Sequence, residues 1–543
     1  MSRVRRYRLA TDAEVDGFVA GLAQRAVLEP DHVEVVERTV HDTFDWRLFD
    51  EGSTIERERE VDEATATATV RWRSLDQGDV LARLDRDEVP RFAWDLEPGP
   101  TADRLESVIE MRALLPLVTV VTRRTTLRLL DEERKTVARL VAEELVEPAG
   151  RAIEPVISVV PLRGYDREAA RLTRILDAQV LLTPDADDLV VSALRREGYA
   201  PGSYSSKLRT GLDREGTAAD AWIAVLRLLL AAMRTNEAGL RDDLDSEFLH
   251  DFRVAVRRTR SVLGEAHGIF DADALGRFKA EMKWLGQATG PTRDLDVFLL
   301  DTAAFADELP LERGGDLKAF SAYLHERQRE SHQALVADLD SPRYAALVES
   351  WSQFLEHPAA PTDAEPDGSR PAPDVAAERI AKAHRRLVKR GRRITESSEP
   401  ERLHDLRKDA KRLRYLLECF GSLFPSDEIT PIVKQLKGVQ DVLGTYQDGQ
   451  VQSAQLETFA QDMLDRGNVG ASAVMVIGLL VEKLEHKGHG ARDAFAARFA
   501  AFDRKPVRDA VHQLLDEHGT ATDPADALGA DATDPSSPEA PRR

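Results

Sequence analysis

With 543 residues, 42% of them apolar and 31% charged, the chain exceeds what one hydrophobic core supports, so two or three domains are expected. A formal net charge of −21 disfavours a polyanion partner only on average, because binding follows the local potential of a patch. A single cysteine, Cys419, excludes an internal disulfide and a cysteine-based zinc site.

In chain order, the opening MSRVRRYRLA is charged with no apolar core behind it, unlike a secretory signal, and the cytoplasm is the expected compartment. Residues 1–208 read as an α+β domain. Val33–Val40, Thr65–Trp72 and Leu117–Leu129 carry β-branched residues in partial alternation, while Asp12–Ala26 and Asp166–Asp177 have helical patterns. Residues 215–512 repeat apolar positions at the spacing of amphipathic helices and read as an all-α domain, its halves at about 215–356 and 375–512. Between them, residues 357–374 (HPAAPTDAEPDGSRPAPD) predict a flexible linker, and residues 516–543 a disordered acidic tail. The apolar run Val474–Val481 is far too short to cross a bilayer, so no membrane partner is expected.

The helical region repeats itself. His250, Arg253, Arg257, Arg258 and Arg260 match His404, Arg407, Lys411, Arg412 and Arg414 at a constant offset of 154. Lys283 falls on Lys437, Gly290 on Gly444 and Asp294 on Asp448 at that same offset, so the unit is duplicated. At about 100° per residue, His404, Arg407, Lys408, Lys411 and Arg414 share one helix face, and Leu406, Ala410, Leu413 and Leu417 the other. Solvated faces usually mix acids among bases to gain i,i+4 pairs; here cations follow cations and repel. A phosphate polyanion neutralises such a ridge, and the planar arginine fork suits phosphate oxygens. Each histidine is open to two readings, a donor to phosphate or an inter-helix hydrogen bond.

These paired helices, with KWLGQATGPTRDLD and KGVQDVLGTYQD downstream, resemble the CHAD domain, the histidine-bearing α-helical domain, over roughly residues 215–512. The resemblance implies two pseudo-symmetric four-helix bundles whose basic faces line a central groove. It also implies inorganic polyphosphate as partner and, in bacteria, association with polyphosphate granules. Carried over by motif, the groove residues are His250, Arg253, Arg257, Arg258, Arg260 and Lys283 with His404, Arg407, Lys408, Lys411, Arg412, Arg414 and Lys437. Asp294 and Asp448 are expected to orient basic neighbours.

The N-terminal region resembles, in degraded form, the CYTH domain, a β-barrel tunnel that binds or hydrolyses triphosphates. HDTFDWRLFDEGSTIERERE (41–60), LLPLVTVVTRRTTLRLLDEE (114–133) and SYSSKL (203–208), read as the closing helix, carry the likeness. The family's metal-holding Glu-x-Glu-x-Lys strand is replaced by Arg3-Val4-Arg5-Arg6-Tyr7-Arg8, and a later strand reads Ile157-Ser158-Val159-Val160. A metal-assisted attack on phosphate therefore has no evident electrophile, which favours a non-enzyme without cofactor. Arg57, Arg59, Arg71, Arg73, Arg123, Arg124 and Arg128 either line a tunnel or face solvent, and Glu56, Glu58 and Glu60 form an outward acidic face or a relocated metal site, the former being favoured. The leading expectation is polyphosphate binding; the alternative is a triphosphatase or polyphosphatase. Nucleic acid is disfavoured, because Tyr415 is the one aromatic near either ridge.

Overall fold

The computed structural model describes residues 4–10, 13–61, 67–76, 78–84, 86–148, 152–206, 208–306, 314–467 and 470–518. The chain forms two compact units, one of residues 1–207 with 244–247, the other of residues 208–243 with 248–543. Most of the acidic tail expected at 516–543 lies outside the described residues, and its first three positions belong to the last helix.

The N-terminal unit is an antiparallel sheet of nine strands: β1 (Arg5–Leu9), β2 (Leu28–Asp42), β3 (Ser53–Glu60), β4 (Thr69–Ser74), β5 (Val80–Leu84), β6 (Leu115–Leu130), β7 (Thr136–Val146), β8 (Ala152–Pro161) and β9 (Leu182–Pro184). Their order is β5-β4-β3-β2-β6-β7-β8-β1-β9. Among the described residues β5 and β9 do not pair with each other, so the sheet stays open where a closed barrel was expected. Five helices join it: α1 (Val15–Leu22), α2 (Arg47–Asp50), α3 (Pro100–Ile109), α4 (Asp166–Asp177) and α5 (Leu189–Arg196). The last helix ends before Ser203, so SYSSKL is not the closing helix over its described part, 203–206.

Strand alternation sorts the side chains by face. On one face Tyr7, Leu9, Leu127, Leu140, Ile157 and Val159 pack with Phe18, Leu22, Leu172 and Leu176 of α1 and α4. On the same side, Ile55, Val70 and Trp72 bury Leu105 and Ile109 of α3. The other face carries charge.

The helical unit comprises α6 (Ala218–Arg241), α7 (Ser246–Gly264), α8 (Ala272–Ala288), α9 (Gly290–Ala306), α10 (Gly314–Leu339) and α11 (Pro342–Glu356), then α12 (Ala372–Gly391), α13 (Pro400–Phe420), α14 (Ser426–Asp465), α15 (Ala471–Phe502) and α16 (Lys505–His518). Thr289 interrupts α8 and α9 by one residue, and the second half runs unbroken through the equivalent stretch as α14. Among the described residues the first half has six helices, five if α8 and α9 are taken together, and the second half five, where four were expected in each. Leu295, Phe298, Phe320 and Leu324 share one core with Leu456, Ile477, Leu480 and Leu484, so the halves are welded by apolar burial.

Backbone pairing makes the internal symmetry explicit. The Ala218 N–H donates to the Arg370 carbonyl at 2.8 Å, and the Ala372 N–H to the Gly216 carbonyl at 3.0 Å. Both partners of the first bond map onto the second at the 154-residue offset, and Thr217 bridges Pro371. The pseudo-two-fold axis therefore passes between the N-termini of α6 and α12. This corrects the linker reading for the far end of 357–374. Asp367 holds Arg370 at 2.8 Å and also binds Arg379, while residues 372–374 form the first turn of α12.

Gly391, near the end of α12, is where the backbone meets the buried ring of Phe499; an added Cβ would overlap that ring. Gly391→Ala gains about 1 kcal/mol of helix propensity but must displace a packed aromatic. A net loss of about 1–3 kcal/mol is expected from such overpacking, read from urea unfolding of the full chain.

Candidate functional site

The cationic ridges sit on α7 and α13, whose apolar stripes are buried: Phe252, Val256 and Leu263 on one, Leu406, Ala410, Leu413 and Leu417 on the other. Two ion pairs cross between the halves in mirrored fashion. Arg258 reaches Glu418 at 2.8 Å, and its repeat equivalent Arg412 pairs with Glu265. They tie α13 to the first half and leave Arg258 and Arg412 compensated by partners from the opposite repeat.

Arg253 donates to the Gly286 carbonyl at 3.2 Å and to Thr289 Oγ1 at 3.1 Å, its head lying across the α8–α9 junction. Glycines stand close by: a Cβ at Gly290 would lie 3.4 Å from Arg253 Nη1, an ordinary contact, and one at Gly286 3.2 Å from Arg260 Nη1, the movable end of that side chain. In the other half Arg407 donates to Asp448 at 2.8 Å, with Gly444 beside it. Asp448 thus orients Arg407, and Asp294 acts on Arg253, the equivalent pair. Arg414 is held by Glu418 at 2.5 Å and by Gln440 at 3.3 Å, and Lys408 by Asp405 at 3.2 Å. Arg260, Lys283 and Lys437 are exposed, whereas His250, Arg257 and His404 are half-buried. The Nδ1 of His404 and the Nε of Arg257 are buried without a hydrogen-bond partner.

The electrostatics couple one cation of the first repeat to a lysine of the second. Burial first, then the cations of Arg407 and Arg257, push the Lys411 ammonium down to about 8. Arg257 belongs to the other half, so charge from both repeats converges on one lysine. Burial and then Arg257 likewise lower Arg253, to about 10, against the pull of Asp294. An acidic protein thus contains a seam where positive charges destabilise one another.

The charged face of the N-terminal sheet behaves differently. Glu56 and Glu58 are 0% and 4% exposed, not the outward acidic face expected. Arg73 pairs with Glu56 at 2.7 Å and with Asp188, the N-cap of α5, at 2.8 Å; Asp188 also takes Arg6 at 3.2 Å. Arg38 bridges Glu56, Glu58 and Glu143, Arg71 meets Glu58 at 2.6 Å, and Arg124 meets Glu58, Glu143 and Glu34. Five arginines and five carboxylates cancel. Arg38 pairs directly with Glu58, and Thr39 with Arg57, so Arg57 points to the opposite face with Arg59 and Arg123. Those three do not join Arg71, Arg73 and Arg124. Arg59 pairs with Glu37 at 3.0 Å, Arg57 donates to the Asp87 carbonyl at 2.6 Å, and Arg128 meets Glu29 at 3.4 Å.

Arg6, Arg38, Glu143 and Asp188 were not singled out from the sequence. The alternation of Glu56 and Glu58 with Arg57 and Arg59 signalled two unlike faces, but not which one was inside. A metal would need free carboxylates. His32, Glu34 and Glu60 come together, yet Glu34 is committed to Arg124 at 2.7 Å.

Residues 224–457 match the family model of the CHAD domain. This segment is a CHAD domain. The match begins in α6 and ends in α14, while the helical unit continues through α15 and α16. Two uncharacterized proteins, from two strains of Mycobacterium tuberculosis, are 26% identical over 269 residues, 48% of this chain and 49% of each relative. The chain thus spans about half the length of the curated relatives it matches. Among solved structures, the CHAD domain of the plant Ricinus communis is 25% identical, with a TM-score of 0.43, 58% of this chain and 97% of that chain covered. PptA from Streptomyces chartreusis is 15% identical at a TM-score of 0.41, covering 52% of this chain and 100% of its own. An adenylyl cyclase from Hippeastrum, described as having a dominant triphosphatase activity, is 16% identical at a TM-score of 0.28, covering 38% of this chain and 100% of its own. Among the described residues, no helix is long and apolar enough to cross a membrane.

Proposed function

We propose that the CHAD domain binds inorganic polyphosphate along the seam between α7 and α13 and does not turn it over. The reading rests on one observation above the rest, the convergence of Arg257 and Arg407 on Lys411 across the two halves. Phosphate oxygens would neutralise Arg253, Arg257, Arg260 and Lys283 on one side and Arg407, Lys411, Arg414 and Lys437 on the other. His250 lies on α7, and His404 and Lys408 lie on α13. Arg258 and Arg412, already paired with Glu418 and Glu265, hold the ridges in place. Residence in the cytoplasm at polyphosphate granules belongs to the same proposal.

The test is a titration with tripolyphosphate and long-chain polyphosphate at two salt concentrations. Saturable binding whose logarithm falls linearly with the logarithm of salt is expected, because bound cations release condensed counterions. Absence of binding, or binding indifferent to salt, overturns the proposal. Near pH 8, saturation should take up protons, since phosphate beside Lys411 returns its depressed ammonium towards its ordinary range. The sign is read from heats of binding in buffers of different ionisation enthalpy; Lys411→Met should remove most of the uptake.

The triphosphatase reading is disfavoured by the balanced ion lattice of the N-terminal sheet. Its arginines already face carboxylates, and Glu34, which stands with His32 and Glu60, is committed to Arg124; the other acidic group that comes together, Glu247 and Asp251 with His250, lies outside the sheet. No release of phosphate from tripolyphosphate with magnesium is expected.

A further inference from the structure

The repeat is symmetric in its ridges but not in its first helices. On α12, Lys382, Arg385, Arg386, Lys389, Arg390 and Arg393 fall at helical spacing on one face, while Ile380, Ala383, His384, Leu387, Val388 and Gly391 fill the other. The equivalent positions of α6, earlier by the repeat offset, are Leu228, Ala231, Ala232, Thr235, Asn236 and Gly239, without a cation. A general need for solubility would not load one helix of a matched pair and spare the other. The side chains of Lys382, Arg385, Lys389 and Arg393 make no hydrogen bond or ion pair among the described residues, and all four are exposed.

The face is joined to the seam through α13. Arg386 and Arg390 both reach the buried carboxylate of Asp409, at 2.9 and 3.0 Å. Asp409 also feels Arg412, so cations lead from Arg412 around α13 onto α12. The buried carboxylate anchors the near edge of the patch and leaves its outer cations to solvent. At about 1.5 Å per residue, the face from Lys382 to Arg393 adds roughly 16 Å of track.

We infer that α12 is a one-sided extension of the binding track, occupied by the part of a polyphosphate chain that emerges from the seam. It rests on the proposed seam and adds a preference to it: long chains gain the α12 contacts and short ones do not. The occupant is a thin inorganic chain, because the patch offers dense charge and no aromatic side chain for bases to stack on.

The full chain carrying Arg385→Ala, Lys389→Ala and Arg393→Ala tests this. All three residues are exposed, and a circular dichroism melt checks that the fold survives. Affinity for long-chain polyphosphate should fall tenfold or more and its salt slope by about 2, the loss expected for three single-strand phosphate contacts. Tripolyphosphate affinity and slope should stay at the wild-type values. Unchanged long-chain binding overturns the extension while leaving the seam intact. Loss of tripolyphosphate binding as well overturns the division between seam and extension. If the α12 triple alone weakens binding and Arg407→Ala with Lys411→Ala does not, the seam fails and the extension with it. Duplex DNA that binds wild type but not the triple, with long-chain polyphosphate unaffected, reassigns the face and also overturns the inference.

Discussion

Arg407→Ala combined with Lys411→Ala is expected to lower affinity for long-chain polyphosphate by about 100-fold or more. Each cation supplies a charge-assisted contact worth about 1.5–3 kcal/mol, and two lost together give that factor. The salt slope should drop by about 1.4, since two fewer phosphates are neutralised on a single-stranded polyanion. Stability should move the other way. Lys411 is held down to about 8 from an ordinary 10.5, so its charged form is disfavoured in the folded chain. That cost is fully present below pH 8 and disappears as pH rises to the unfolded value. Lys411→Met alone should therefore unfold at higher denaturant than wild type at neutral pH, with the difference fading in alkali. A variant that binds as wild type, or loses stability at neutral pH, contradicts the seam as a site of stored repulsion.

Glu58→Gln is expected to cost the N-terminal unit about 3–5 kcal/mol, the usual penalty for removing one partner from a buried ionic cluster. Glu58 is 4% exposed and faces Arg38, Arg71 and Arg124. The substitution leaves one uncompensated positive charge among largely buried partners. Burial pushes the Glu58 carboxyl up, but Arg38, Arg124 and Arg71 overcome it and hold it below the usual carboxylate range. Glu143 is lowered in the same way, with Arg124 and Arg38 outweighing burial. Both contribute stability that is complete above the unfolded glutamate value and is lost as pH falls through the depressed one. The N-terminal unit should accordingly melt in acid below about pH 4.5, the ordinary glutamate range. Near-ultraviolet circular dichroism of wild type and Glu58→Gln across pH checks this. Polyphosphate binding at neutral pH by any Glu58→Gln molecules that stay folded should match wild type, because the seam lies in the other unit.

The two units differ in how far local pattern reaches. On α7 and α13 the 3.6-residue period is a property of a few consecutive residues, so the apolar stripe and the cationic ridge were legible before any tertiary contact. In the sheet, alternation assigned Arg57 and Arg71 to faces only within their own strands. The pairing of Arg57 with Val70, and of Glu56 with Arg71, decided which residues share a side, and a shift of one residue would exchange them all. The tunnel expected from likeness became an open sheet for the same reason, since closure depends on whether β5 and β9 meet.

From its residues alone this protein's duplication, its helical unit and the cationic faces of α7 and α13 were legible, because repeats and helix faces are written in local spacing. Tertiary structure decided which of those cations are spent and which are free. Arg258 finds Glu418 and Arg412 finds Glu265 across some 150 residues of chain. Coulomb attraction acts over ångströms of space and takes no account of sequence distance, so pairing appears only once the helices are packed.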